Sequence, residues 1–271
     1  ETDGCDRRWL DPIGPAHGRG LAQAVPSLAS TKARTAGWFD MACDVAAAQA
    51  MTLTPALQRL VVCGTDTDVG KTVVSAWLVQ GLQASYWKPV QSGLDDGGDR
   101  GRVQKLLQLP SERILREVYA FRTPVSPHWS AELDSTRLQP EELTLPDHNG
   151  PLVVETAGGL MVPLNREWLQ IDQLQRWQLP IVLVARSGLG TLNHTLLSLE
   201  ALKRRNLTVL GLILNGPLHA DNPRTLEAFG AVPVLAQLPP LQPLTAKALA
   251  EQWQQQDLAS KFQQRLDQGQ Q

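Results

Sequence analysis

The stretch "GTDTDVGKT" at residues 64–72 constrains the fold more than any other part of the sequence. It follows the apolar run "RLVVC" and ends in a Lys-Thr pair that can open a helix. A strand, a glycine-rich turn and a helix N-terminus form the context in which backbone N–H groups bind an anion. The common phosphate-loop pattern requires its first glycine at position 65, where this chain has Thr65. The sequence therefore predicts a phosphate-binding loop with unusual spacing.

Three residues at the end of this loop carry the chemistry of nucleotide binding. Gly70 allows the backbone to approach the phosphates, Lys71 can reach the β and γ oxygens, and Thr72 can ligate Mg²⁺ through its hydroxyl. The alternative is a surface turn in which Gly-Lys occurs by chance, since the chain has 21 glycines. The apolar run before the loop and a helix predicted at residues 70–82 favour nucleotide binding.

From residue 51 onward, short apolar runs alternate with segments of helical periodicity. This alternation is typical of an α/β fold with a mostly parallel sheet and helices on both faces. The predicted strands are residues 59–63, 151–155, 179–185, 208–214 and 232–238. Between the predicted strands at residues 179–185 and 208–214, leucines recur at helical spacing, and Asn206 after them can end a helix. We expect these leucines to lie in the core: Leu192, Leu196, Leu199 and Leu202.

The two ends of the chain differ from its middle. Residues 1–50 mix Gly, Pro, Ala and charges without an amphipathic period. We expect them to form a poorly structured N-terminal extension, not part of the native domain, which would span residues 51–271. "VAAAQA" at residues 45–50 resembles a cleavage site, but Asp40 and Asp44 interrupt any apolar core before it, so secretion is not expected. The tail from residue 251 predicts one terminal helix with three apolar residues on one side, Trp253, Phe262 and Leu266.

Charge, hydropathy and cysteine content exclude several classes of protein. Lys and Arg number 25 against 27 acidic residues, and no long basic run could neutralise a nucleic-acid backbone. The longest apolar runs, such as "LPIVLVA" at residues 179–185, are too short to cross a membrane. The cysteines, Cys5, Cys43 and Cys63, lack metal-ligand spacing, which favours a reducing compartment. We therefore expect a cytoplasmic protein that neither has nucleic acid as its main partner nor crosses a membrane.

Polar residues directly follow apolar runs in three further segments: "YWKPVQSG" (86–93), "VVETAGGLMVPL" (153–164) and "RSGLGTLNH" (186–194). Ligands of open α/β sheets bind outside the carboxyl ends of the strands. A carboxylate such as Glu155 at a strand end is costly unless a cation or hydrogen bonds satisfy it, which makes a Mg²⁺ ligand attractive. The alternatives are a loop cap for Glu155 and solvated surface for Lys88 and for Asp95, Asp96 and Asp99.

Together these segments resemble the dethiobiotin synthetases, a dimeric P-loop family. The motifs that carry the resemblance occur in the family's order, from about Met51 to about Pro240: "GTDTDVGKT", "KPVQSG", "SPH", "GG" before "PL", "GLGTLNH" and "LILNGP". The additional residue in the phosphate loop is a trait of that family. Residues 1–50 have no counterpart in the resemblance.

The resemblance implies an activity, a cofactor and an assembly. Members of the family join CO₂ to 7,8-diaminopelargonate with ATP as co-substrate and Mg²⁺ as cofactor, closing the cyclic urea of dethiobiotin. One amine becomes a carbamate, which attacks the γ-phosphate to give a carbamic-phosphoric anhydride. The second amine then closes the ring and displaces phosphate. The family also implies a P-loop NTPase-like fold and a homodimer.

The resemblance further implies roles for individual residues. Lys71 and Lys88 would be catalytic cations beside the carbamate and the transferring phosphoryl group. The Mg²⁺ ligands would be Thr72, Asp99 and Glu155. The nucleotide-binding residues would be Asp68, Val69, Gly70, Lys71, Thr72, Val73, Asp99, Glu155, Thr156, Ala157, Gly158, Asn215, Gly216 and Pro239. The substrate-binding residues would be Thr65, Asp66 and Ser92, with Gly190, Thr191, Leu192 and Asn193 taking the substrate carboxylate across the dimer interface.

Two departures from the family pattern and two competing functions remain open. Thr156 replaces a frequent glycine and could crowd the phosphates, and Gly216 stands where some members have Asp, which weakens the case for adenine. An amide synthase of the cobyrinate type would need a glutamine-hydrolysing domain with a nucleophilic Cys, and no Cys follows Cys63. A partition-type ATPase switch would need a basic surface or an amphipathic membrane-binding tail, and the sequence offers neither.

Overall fold

The computed structural model describes residues 59–94 and 97–269, with side-chain positions to residue 265. The predictions for residues 1–50, for Asp95 and Asp96 and for the Leu266 side chain lie outside this part of the chain. The strands are β1 Arg59–Gly64, β2 Ser85–Trp87, β3 Val90–Ser92, β4 Tyr119–Phe121, β5 Leu152–Gly159, β6 Ile181–Arg186, β7 Val209–Asn215 and β8 Val234–Leu238. The helices are α1 Lys71–Gly81, α2 Gly98–Leu107, α3 Pro127–Leu133, α4 Gln170–Trp177, α5 Thr191–Arg204, α6 Asn222–Gly230, α7 Ala246–Gln255 and α8 Leu258–Gly269.

Six strands form one parallel sheet in the order β2-β5-β1-β6-β7-β8, and β3 and β4 form a small parallel pair. The central strands are continuous apolar runs because helices cover both faces of the sheet. Successive side chains of β1 enter different cores: Val62 packs with α1, α7 and α8, whereas Val61 and Cys63 pack with α4, α5 and α6. The predicted α/β fold with helices on both faces is confirmed.

The longer predicted elements are confirmed with bounds that shift by a few residues. All five predicted strands are present, and β5 extends beyond its predicted end to Gly159, with a register irregularity between β1 and β5. Helix α5 coincides with the leucine pattern; Leu199 and Leu202 are buried, and Leu192 and Leu196 pack against the same core.

The prediction of a single terminal helix is wrong. The tail forms two helices, α7 and α8, because Asp257 adopts a left-handed conformation (φ 47°) between them. Trp253 in α7 and Phe262 in α8 still face the same core, where their rings stack with centroids 6.1 Å apart. Among the residues that the structure describes, no helix is both long and apolar enough to cross a membrane.

Candidate active site

A cleft of about 550 Å³ opens at the carboxyl ends of β1, β2 and β5. The phosphate loop after β1 forms one wall, α2 and the segment before α3 form another, and Glu155 and the residues after it lie at the base. Ten residues predicted for the site line this cleft: Asp68, Gly70, Lys71, Thr72, Lys88, Ser92, Asp99, Glu155, Ala157 and Gly158. Parallel strands bring their carboxyl ends to one edge of a sheet, so this convergence follows from the topology.

The phosphate loop contains a backbone conformation that requires glycine at position 70. Gly70 caps α1 in a left-handed conformation (φ 90°), and a Cβ at this position would lie 2.1 Å from Nδ2 of Asn215. Only glycine fits there, since any side chain meets both strain and a clash. Lys71 is buried, and its Nζ donates to the carbonyl oxygen of Asp66 at 2.9 Å. The loop therefore curls back over its own lysine.

A network of polar side chains surrounds Glu155, which is fully buried. Its Oε1 accepts hydrogen bonds from Thr72 Oγ1 at 2.9 Å and from Lys88 Nζ at 3.0 Å. Its Oε2 accepts one from Tyr86 OH at 2.9 Å. Lys88 Nζ also contacts Asp99 Oδ2, so one ammonium group joins two carboxylates from different elements.

These contacts change the pKa values of the buried ionisable groups. Burial acts to lower the pKa of Lys88, but the charges of Glu155 and Asp99 outweigh it and raise that pKa above its ordinary value. Burial acts to raise the pKa of Asp99, but Lys88 outweighs it and lowers that pKa. For Lys71, burial lowers the pKa, and the attraction of Glu155 only partly opposes it. An anion bound in the cleft would favour the charged form of Lys71.

The donor set fits a magnesium ion. Thr72, Asp99 and Glu155 supply only oxygen atoms, which hard divalent cations prefer, and both carboxylates touch the same Lys88 ammonium. Among the described residues, no group of three or more His, Cys, Asp or Glu side chains is placed to hold a metal. A site with the two carboxylates of Asp99 and Glu155 suits Mg²⁺, which usually takes one or two protein carboxylates and completes its shell with waters and phosphate oxygens.

Comparisons with known proteins agree with this geometry. The AAA_26 family, described as AAA domain, matches residues 58–248. The ATP-dependent dethiobiotin synthetase BioD of Afipia carboxidovorans is 54% identical over 192 residues, which cover 70% of this chain and 91% of that protein. The ATP-dependent dethiobiotin synthetase BioD of Rhodopseudomonas palustris strain BisB18 is 52% identical over 191 residues, which cover 70% of this chain and 91% of that protein. The chain belongs to the dethiobiotin synthetase family.

Two further matches place this family member among related proteins. The biotin biosynthesis bifunctional protein BioCD of Bordetella avium is 52% identical over 189 residues, which cover 69% of this chain and 41% of that protein. The cell division ATPase MinD of Pyrococcus furiosus has a TM-score of 0.50 and 17% identity, covering 77% of this chain and 99% of that one. At that identity, the likeness to MinD shows a shared P-loop fold alone.

Other predicted site residues lie beside the cleft without lining it. Asn215 ends β7, Gly216 directly follows it and Pro239 follows β8, so these three predicted nucleotide-binding residues share the carboxyl edge of the sheet. The amide of Asn215 donates to the carbonyl oxygen of Val69 at 3.1 Å, which links β7 to the phosphate loop. Val69 itself is buried, and Val73 packs against the core behind the loop.

Thr156 does not narrow the cleft. Its side chain is buried, and its hydroxyl contacts the carbonyl oxygen of Val62 at 3.3 Å, between β5 and β1. Alternation along β5 turns Thr156 away from the face that carries Glu155. The replacement of a frequent glycine by Thr156 is therefore accommodated inside the sheet, and its side chain is not a cleft contact.

The predicted substrate residues fall into two groups. Ser92 lines the cleft, with Thr65 and Asp66 in the adjoining phosphate loop. The four residues Gly190, Thr191, Leu192 and Asn193 form the start of α5, outside the cleft lining. Leu189, directly before them, is fully exposed.

Several residues at the site carried no predicted role. Gln91 and Arg102 line the cleft, and Arg102 pairs with Asp99 at 3.5 Å. Arg186 donates to the carbonyl oxygen of Thr67 at 3.1 Å, which ties the end of β6 to the phosphate loop. Tyr86 contacts Glu155 from the core. The alternation of a strand puts Tyr86 and Lys88 on one face, and this signal in "YWK" could have identified the tyrosine.

Proposed function

We propose that this chain is an ATP-dependent dethiobiotin synthetase, a ligase that forms C–N bonds in biotin biosynthesis. It would convert 7,8-diaminopelargonate, CO₂ and ATP into dethiobiotin, ADP and phosphate. The observation that carries the proposal is the convergence of Lys71, Lys88 and the oxygen ligands around Glu155 in one cleft. Relatives that are 54% and 52% identical are ATP-dependent dethiobiotin synthetases by name, which supports the same reaction.

The reaction would proceed in three steps. The lone pair of one substrate amine attacks CO₂, and loss of a proton leaves a carbamate. A carbamate oxygen attacks the γ-phosphorus, the bond to the β,γ-bridging oxygen breaks, and ADP leaves. The second amine then attacks the carbonyl carbon of the carbamic-phosphoric anhydride and loses a proton, the C–O bond to phosphate breaks, and the five-membered urea closes.

The two lysines would stabilise the charge that develops during phosphoryl transfer. Negative charge spreads over the transferring group, and cations already positioned in a desolvated site stabilise it without reorganisation. Lys88 suits this role because two carboxylates fix its position and raise its pKa. Thr72, Asp99 and Glu155 would hold Mg²⁺, which neutralises charge on the β and γ oxygens when it is bound.

The remaining assignments extend the same proposal. Residues 68–73 would bind the phosphates, and Asn215, Gly216 and Pro239 would bind the base, since they share the sheet edge with the loop. Residues 190–193 would take the substrate carboxylate from a second subunit in a cytoplasmic homodimer. The free N–H groups at the start of α5 support this assignment, because a helix N-terminus attracts an anion.

Incorporation of labelled carbon tests the function directly. Purified protein is incubated with radiolabelled bicarbonate, MgATP and the diamine, and acid-stable label is measured with ADP and phosphate. Acid destroys a carbamate but leaves a cyclic urea, so label should survive only when diamine and ATP are both present. Rapid ATP turnover without the diamine would instead favour an ATPase switch.

A shortened chain tests the proposed domain boundary in the same assay. A chain that starts at Met51 should incorporate label at the rate of the full chain, because the cleft and both cores lie within residues 59–265. Loss of activity in a folded chain of residues 51–271 would contradict the proposal that residues 1–50 stand outside the native domain.

A further inference from the structure

Tyr86 is connected to the candidate site through Glu155. It lies in β2, two residues before Lys88, and is completely buried in the core that α1, α7 and α8 cover. Its ring does not line the cleft, but its hydroxyl donates to Glu155 Oε2 at 2.9 Å. A phenylalanine would satisfy the packing of this position. The hydroxyl therefore needs an explanation in the polar network.

The hydrogen bonds of Glu155 divide unevenly between its two oxygens. A carboxylate offers about four lone-pair positions. Oε1 accepts from Thr72 and from Lys88, which uses both of its positions. Among the described residues, Oε2 accepts from Tyr86 alone, so it retains one position for another partner. The terminal torsion of a glutamate is broad and nearly two-fold, so the carboxylate needs contacts of this kind to hold one orientation.

We propose that Tyr86 is a positioning residue for the divalent cation that accompanies the nucleotide. Its hydrogen bond fixes the carboxylate so that Thr72 and Lys88 share Oε1 while the remaining lone pair of Oε2 stays available to the metal. Loss of a group that orients a metal ligand from behind typically lowers metal affinity about 10-fold to 100-fold. The inference rests on the proposed role of Glu155 as a Mg²⁺ ligand.

The first test measures binding of ADP by calorimetry, in Mg²⁺ and in EDTA. The ratio of the two affinities reports the contribution of the metal. For Tyr86→Phe we expect this ratio to fall about 10-fold to 100-fold, the usual effect of losing a group that orients a metal ligand, with the affinity in EDTA unchanged. Glu155→Gln sets the scale for loss of the ligand charge. Purely structural damage would lower both affinities together.

Tyr119→Phe is a matched control. The full sequence contains two tyrosines, and the hydroxyl of Tyr119 also contacts a glutamate, Glu142 Oε2 at 2.6 Å, on an exposed part of the molecule. This variant should keep the wild-type ratio. It also leaves Tyr86 as the single tyrosine in the chain, so incorporated 3-fluorotyrosine gives one ¹⁹F resonance. That resonance should move on addition of ADP with Mg²⁺ and stay in place with ADP and EDTA.

The outcomes separate this inference from the proposed function. A folded Tyr86→Phe protein with the wild-type ratio, or with equal losses in Mg²⁺ and EDTA, overturns the inference. If that variant does not fold, the ¹⁹F resonance of the Tyr119→Phe protein tests the inference instead. A resonance that does not depend on Mg²⁺ when ADP binds overturns the inference. Failure of the wild-type chain to fix labelled bicarbonate would refute the synthetase reaction without altering these binding measurements.

Discussion

Among individual residues, Lys88 has the most unusual environment. Its ammonium group is buried between Asp99 and Glu155, so removal of the side chain leaves two like charges facing each other in the protein interior. We expect Lys88→Ala to abolish label incorporation. In EDTA, it should also lower the free energy of unfolding by about 3 to 5 kcal/mol, the usual cost of breaking a buried ion pair. Urea denaturation and the bicarbonate assay measure the two effects.

Lys105→Ala is the control for this change, since Lys105 is exposed on α2. Substitutions on such a surface usually alter stability by no more than about 0.5 kcal/mol. A Lys88→Ala protein that fixes bicarbonate at the wild-type rate would remove Lys88 from the catalytic proposal. A loss of stability as small as that of Lys105→Ala would mean that the carboxylates are better solvated than their burial indicates.

Cys63 illustrates how burial controls reactivity. It is the last residue but one of β1 and is fully buried, and burial raises the pKa of its thiol to about 12. Since the thiolate is the reactive form, Cys63 should resist iodoacetamide at about pH 8.5, near the ordinary thiol pKa, while the protein is native. Peptide mapping should find it alkylated only after unfolding. Above that pH the unfolded chain binds fewer protons at Cys63 than the folded chain does, so Cys63 should also lower native stability as pH rises.

The place of a single residue in the cleft was predictable from the sequence where a motif or a strand end marked it. Lys71 belongs to the phosphate-loop motif, whereas Lys88 and Glu155 come at the ends of apolar runs, where a charge is costly unless it is satisfied. Tyr86 was missed because its ring satisfies an ordinary core position and its hydroxyl partner is 69 residues away in sequence. Arg186 was missed for a similar reason, because its partner Thr67 is 119 residues away.

At the scale of secondary structure, the phosphate loop depends on contacts from a distant strand. Asn215 at the end of β7 uses its amide to hold the carbonyl group of Val69. Within the part of the chain that the structure describes, its second N–H and its oxygen have no other partner, so they are available for the proposed contact with a base. We expect Asn215→Ala to weaken binding of inorganic tripolyphosphate about 5-fold, roughly the 1 kcal/mol of one hydrogen bond. ATP, which would also lose its base contact, should be weakened further. Calorimetry with both ligands separates the two effects.

Asn222→Ala provides the comparison for this prediction. The Asn222 amide also donates to a backbone carbonyl, that of Ser187 at 2.8 Å, outside the phosphate loop. Loss of this Asn222 hydrogen bond should leave the affinity for tripolyphosphate unchanged. An unchanged tripolyphosphate affinity in Asn215→Ala would show that Asn215 does not support the loop. Equal losses for tripolyphosphate and ATP would contradict the proposed adenine contact.

Element length explains which parts of the fold were predictable. The five predicted strands have five or more residues and long apolar runs, so their pattern stands out from the sequence. Strands β2, β3 and β4 have three residues each, which is too short for a period, and tertiary pairing defines them. In the tail, periodicity continued across Asp257 although the chain turns there, so two helices were interpreted as one.

At the scale of the whole molecule, the C-terminal helices complete the core on one face of the sheet. The family match ends at residue 248, within α7, yet Phe262 in α8 is fully buried. Its ring stacks on Trp253, which meets the edge of Trp77 in α1 with centroids 6.2 Å apart. Helix α1 also carries Lys71 and Thr72 at its N-terminus. The tail therefore supports the helix that presents the phosphate-binding residues.

This packing predicts a large effect for a residue far from the cleft. Phe262→Ala removes a ring from the closed core and should lower the free energy of unfolding by about 3 to 5 kcal/mol, with little collapse between α7 and α8 to compensate. Phe229→Ala, at a position 77% exposed on α6, should change it by no more than about 0.5 kcal/mol. Urea denaturation followed by near-UV circular dichroism measures both variants. If Phe262→Ala lowers the free energy of unfolding no more than Phe229→Ala does, α8 must pack too weakly to belong to the cooperative unit that holds α1 in place.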